Sequence, residues 1–180
     1  MSDRVTTTIS TSPSAPAVPG DKSGRFFIVG QTQKGPSTAP TVITSLAQYE
    51  SVYGSRTVGP AMYDSAQLAF RCGASEIVVQ RAVGPTPVKA TISLDSGKIV
   101  VTAKNPGAFA NGWTAAWTAS GTTLTIVAGS VTETYVGATS AALILAASVS
   151  QIITVTSSGT LPSTNVSATA LATGNDDFAN

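Results

Sequence analysis

A mixed α/β fold is expected for this chain on three observations. Between Gly24 and Gly84, two short apolar runs bracket two segments whose apolar residues recur at helical spacing. From Pro85 onward the apolar period changes to two, and turn residues separate the runs. Residues 1–23 are rich in Ser, Thr and Pro and offer little to bury. The expected organisation is therefore an extended N-terminal arm (1–23) and a βαβ-type core unit (24–84). A mainly antiparallel β-rich subdomain with one short helix (85–157) and a loop leading out of it (158–180) follow.

In the arm, Val5, Thr7 and Ile9 alternate, placing β-formers on one face of an extended strand able to dock on another sheet. Phe26-Phe-Ile-Val29 is a continuous apolar run ending in Gly30, the pattern of a strand covered on both faces. Thr41–Thr44 reads as a further short strand. Ser45 with Gln48 three residues on is a capping-box pattern, and Leu46, Tyr49, Val52 and Tyr53 form the apolar face of the helix it opens. Gly54 stands where a positive-φ cap belongs.

Pro60 suits the first turn of a second helix, whose stripe is Met62, Ala66, Ala69 and Phe70. Cys72 ends that helix as a buried thiol and Gly73 caps it. Glu76-Ile-Val-Val-Gln80 then reads as a buried strand, and the strand–helices–strand order predicts parallel pairing. Met62 and Phe70 are candidates for core or interface packing, each worth roughly 1.5–3 kcal/mol if fully buried.

Beyond Pro85, Ile92, Leu94, Ile99 and Val101 alternate around an Asp95-Ser-Gly97 turn, predicting a hairpin. After the loop Asn105–Gly112, Trp113, Ala115 and Trp117 share one strand face, and both Trp residues are packing candidates. Leu124–Val127 and Val131–Val136 flank a Gly129-Ser130 turn. A short Ala-rich helix over Ala141–Val149 and a last strand over Gln151–Thr156 follow.

Composition restricts the chemistry. Hydrophobic residues make up 42% of the chain, enough for a core. Charged residues are only 11%, against roughly 25% in an ordinary soluble domain, which favours subunits that pack against neighbours. The net charge is +1 and no basic run occurs, so there is no electrostatic footprint for nucleic acid. Histidine is absent, which removes Ser-His-Asp and Cys-His catalysis and His-ligated metal. The single cysteine cannot form an internal disulfide. The N-terminus has no apolar signal region and no apolar run approaches membrane-spanning length, so direct membrane insertion is not expected and a reducing cytoplasm is.

No catalytic, cofactor-binding or metal constellation emerges. Pro19-Gly-Asp-Lys-Ser-Gly24 has the wrong spacing for a phosphate loop and precedes a strand instead of following one. Gly30–Gly35 follows a strand but leads into prolines, so it reads as an ordered turn. Asp176-Asp177 reads as a solvated or salt-bridged pair, with Arg71 and Arg81 as partners for Asp64. A small α/β enzyme is accordingly disfavoured, while a β-rich adhesion or carbohydrate-binding module built on Trp113 and Trp117 stands as the alternative to an assembly part.

The ordered set Phe26–Val29, Gly30-x-x-x-Lys-Gly-Pro36, Pro40-x-x-Ile-Thr-Ser45, Tyr49-x-x-x-Tyr-Gly54, Met62–Cys72, Gly73 and Ile77-Val-Val-Gln-Arg-Ala82 resembles the N-terminal region of contractile tail sheath proteins of bacteriophages and related injection particles. Asn105-Pro-Gly-Ala-Phe-Ala-Asn111 is similar to the loop that opens the next subdomain in that family. Where many sheath proteins begin with Pro-Gly-Val-Tyr, this chain has Val5-Thr-Thr-Thr-Ile9. The resemblance implies a homo-oligomer of stacked six-membered rings around a tail tube protein, contracting to drive that tube through the host envelope. It further implies baseplate and tail terminator partners, a place in the virion after assembly in the host bacterial cytoplasm, and no cofactor. Val5, Thr7 and Ile9 become candidates for inter-subunit strand addition. A C-terminal half, absent from this chain, would complete the core.

Overall fold

The computed structural model describes residues 25–56 and 61–178. Val5, Thr7 and Ile9 and the Pro60 helix start lie outside them. A three-stranded sheet is formed by β1 (Arg25–Gly30), β2 (Thr41–Ile43) and β3 (Glu76–Arg81), in the order β1-β3-β2. β1 and β3 are parallel over Arg25↔Glu76 to Gly30↔Arg81, as the strand–helices–strand order predicts, and β2 runs antiparallel to β3.

The helices α1 (Leu46–Tyr53) and α2 (Met62–Arg71) cover one face of this sheet. Ser45 caps α1 by accepting from the Gln48 N–H at 3.2 Å. The reciprocal half of the capping box is displaced: Gln48 Oε1 accepts from the Thr44 N–H at 2.8 Å. Gly54 closes α1 at φ 93°, ψ 174°, so the positive φ is as expected but the residue is extended in ψ. Ile43, Tyr49, Tyr53, Met62, Ala66, Ala69, Ile77 and Val79 form the buried cluster between layers. Gly30 lets α2 approach, because a Cβ there would meet Met62 Sδ at 2.9 Å.

Three readings in this region need correction. β1 is an edge strand with one face open: Phe27 is 74% and Val29 70% exposed, because no described element lies over that side. Phe70 is only half-buried at the margin of the cluster. Cys72 is exposed, since successive residues rotate about 100° on a helix and position 72 falls off the Met62–Ala66–Ala69 stripe.

The remaining strands make two antiparallel sheets. β4 (Thr91–Leu94), β5 (Ile99–Ala103) and β9 (Ile153–Ser157) form one, in the order β4-β5-β9. β6 (Thr114–Thr118), β7 (Thr123–Ala128), β8 (Val131–Val136) and β10 (Val166–Ala170) form the other, in the order β10-β6-β7-β8. Helix α3 (Ser140–Ala147), capped by Thr139, packs on β8 and β9. Between them lies a second core that includes Leu94, Ile99, Val101, Trp117, Leu124, Ile126, Leu143 and Ile153. Both predicted hairpins form. At the first turn Asp95, Ser96 and Gly97 all take positive φ.

The described part of the predicted exit loop, 158–178, is not simply a loop. It returns as β10 along β6, and then 172–176 bonds back to 84–91 through Thr91↔Ala172, Val88↔Asn175 and Gly84 N–H to Asp176 O at 2.8 Å.

Candidate assembly surface

The two cores meet at Arg81, the last residue of β3. Its side chain is fully buried. The guanidinium donates to the carbonyls of Gly35 and Pro106, each at 2.8 Å, and pairs with the Asp176 carboxylate. Its Cζ lies 5.8 Å from the Phe109 ring centroid, and its Nε has no hydrogen-bond partner among the described residues. One side chain thus ties the β1–β2 loop, the Asn105–Asn111 loop and the end of the described chain to the central strand. Burial lowers the Arg81 pKa and raises that of Asp176, while the attraction between them works in the opposite sense on each. Desolvation outweighs pairing on both, so this contact specifies position more than it adds stability.

The Asn105–Asn111 loop is built around this arginine. Gly107 has φ 133°, and a Cβ there would stand 2.7 Å from Asp176 Oδ1 and 2.9 Å from Arg81 Nη2. Asn111 clamps Gly174 twice, donating to its carbonyl at 3.0 Å and accepting from its N–H at 2.8 Å. The Gly30–Pro36 loop is likewise structural. Gly35 at φ 106° packs on Tyr53, and the Lys34 N–H donates to Tyr53 O at 3.2 Å. Tyr53 in turn donates its hydroxyl to Val79 O at 3.0 Å. The loop's glycines serve close packing.

Acid partners differ from those expected. Asp64 pairs with Arg56 at 2.9 Å on the surface, a contact worth little. Asp176 and Asp177 diverge: the first meets Arg81, and the second accepts from the Thr86 N–H and hydroxyl, both at 2.7 Å. Those bonds lower the Asp177 pKa.

The Trp pair does not form an open platform. Trp117 is 1% exposed and donates its indole N–H to Pro162 O at 3.0 Å. Trp113 is half-buried and meets Phe109 edge-on at 5.5 Å. Met62 is buried against Gly30. Among the described residues no group of three or more Cys, Asp or Glu side chains converges as a metal site would, and no helix is long and apolar enough to cross a membrane.

What the fold leaves open is the outer side of the α/β sheet. Phe27 and Val29 of β1 and Val42 of β2 flank Val78 there, and β1 has no strand on its outer edge among the described residues. Exposed apolar side chains beside an unpaired strand edge are a feature shared by interaction surfaces.

Comparison with solved structures identifies the architecture. A sheath tail protein from Listeria innocua superposes with a TM-score of 0.68 at 21% identity, over 89% of this chain and 36% of its own. One from Desulfitobacterium hafniense gives 0.61 at 17% identity, over 96% of this chain and 40% of its own. The chain shares its fold with sheath tail proteins. It spans well under half the length of either one. No protein-family model and no curated protein matches the sequence.

Arg81, Asn111 and Asp176 were not singled out by sequence reasoning as a joint cluster. The signals were present separately, in the Asn105–Asn111 motif and the lone charges of a charge-poor chain.

Proposed function

We propose that this chain is part of a structural subunit of a contractile tail sheath. In this reading subunits polymerise as stacked hexameric rings around a tail tube and contract to drive the tube through the host envelope. The carrying observation is the match to two sheath tail proteins over about nine-tenths of the chain. The open β1 edge supports it, because strand addition gives backbone hydrogen bonds with little demand on side chains. The arm alternation Val5, Thr7 and Ile9 supplies a candidate strand for a neighbour's sheet. Rigid units joined by flexible links suit subunits that rotate during contraction, and the contraction energy would reside in the extended array with no catalytic residue. Tail tube, baseplate and terminator proteins are the expected partners, in a virion assembled in the host cytoplasm.

The test is negative-stain microscopy of the full-length protein. Rings or tubes are expected, whereas a well-folded monomer at high concentration overturns the reading. Deleting residues 1–20 should leave the fold intact and abolish ordered assembly. Unchanged tubes would remove the arm from the mechanism.

A further inference from the structure

A cleft of about 890 Å³ runs between the two cores. Lys34, Lys89 and Lys104 line it, and no carboxylate does. This is a concentration of charge in a chain that has little. Among the described cations, Arg25, Arg56, Arg81 and Lys98 are held in ion pairs. Of the remaining four only Arg71 lies elsewhere, so three of the four cations without an ion pair face one cleft. Lys104 Nζ donates to Ser150 O at 2.8 Å, and Glu133 accepts from the Ser150 hydroxyl, but Glu133 does not line the cleft.

Phe109 and Trp113 add an apolar wall, and Gly35 and Pro106, whose carbonyls hold Arg81, form part of the same lining. We propose that this cleft docks an extended, carboxylate-bearing segment of another protein chain. Charge complementarity selects the anion. A protein segment is favoured over a small ligand because no buried charged side chain stands at the floor to orient one: Lys34 and Lys104 are half-buried and Lys89 is exposed. It is favoured over nucleic acid because three lysines in a chain of net charge +1 make no extended basic track. Apolar contact with the aromatic wall and lysine contacts along the rim are the features an acidic peptide satisfies together. The inference does not depend on sheath assembly, since a monomer has the same cleft.

The test is fluorescence polarisation with the full chain, at concentrations where size exclusion shows monomer. The probes are a labelled peptide of alternating Glu and Gly, its Gln/Gly counterpart and a labelled oligothymidylate. The Glu peptide should bind about tenfold more tightly than the Gln peptide at low salt and lose that advantage as salt rises. The double variant Lys34→Gln/Lys89→Gln should weaken it about tenfold with an unchanged melting temperature, while Lys98→Gln leaves it unaltered. Equal binding of the two peptides, an unaffected double variant, or absence of binding overturns the proposal. Tighter binding of the oligothymidylate overturns it in favour of a nucleic-acid cleft.

Discussion

Arg81 of β3 and Asp176 pair across 95 residues of sequence, and the pair joins the central strand of one core to the returning end of the other. Replacing Asp176 with Asn leaves a fully buried guanidinium with two carbonyl acceptors and no counter-charge. We expect a loss of about 3 kcal/mol in urea unfolding. Adding Arg81→Met should cost less than the sum of the single changes, with a coupling of about 1–3 kcal/mol. Additive losses would show that the two residues do not act as a pair.

Gly107→Ala probes the same joint from the backbone. Its φ of 133° and the 2.7 Å approach to Asp176 Oδ1 should together cost roughly 2–3 kcal/mol. Gly112→Ala, at φ 88° with open space around it, should cost about 1 kcal/mol. Equal melting temperatures for the two variants would contradict the packing role given to Gly107.

Trp117→Ala should cost about 3–5 kcal/mol, because it empties a site in the second core and orphans Pro162 O. Trp113→Ala, which loses an edge-on contact with Phe109, should cost about 1 kcal/mol plus some burial. The difference reads directly from denaturation midpoints.

Tyr49 links stability to alkaline pH. Burial, with a smaller contribution from Tyr53, pushes its hydroxyl from 10.0 up to about 12. A raised folded pKa means the stabilisation is full below pH 10 and disappears as pH rises through about 12. Tyr49→Phe should flatten the decline in stability over that window by on the order of 2 kcal/mol. Tyr53, Tyr63 and Tyr135, also raised, leave a residual slope. A variant with the wild-type alkaline profile would refute the assignment.

Phe27→Lys and Val29→Lys place charge on side chains that are 74% and 70% exposed. Stability should change by no more than about 0.5 kcal/mol, while any tubes formed by the full-length protein are lost. Tubes that persist would exclude the open face from assembly.

Local pattern accounts for most of the elements. Ser45 was legible as a cap, Met62–Ala66–Ala69 as a stripe, and Asp95-Ser-Gly97 as a turn, because each depends on neighbours within a few residues. β10 was not legible. Val166-Ser-Ala-Thr-Ala170 is exposed apart from half-buried Val166, so it carries no apolar period, and its partner β6 lies some fifty residues upstream. The Phe26–Val29 run was legible as a strand but not as an edge, since periodicity records which side chains are apolar and not what covers them.

By itself, then, the amino-acid sequence determined the elements up to β9, their order, the parallel β1–β3 unit and the lack of any histidine, all from composition and spacing. Only the tertiary structure decided that Arg81 joins two cores, that Asp176 and Asp177 part company, that Trp117 is interior, and that three lysines share a cleft. Those relationships arise between residues tens of positions apart. They depend on how the sheets stack and on which charges burial leaves without partners, which no local pattern encodes.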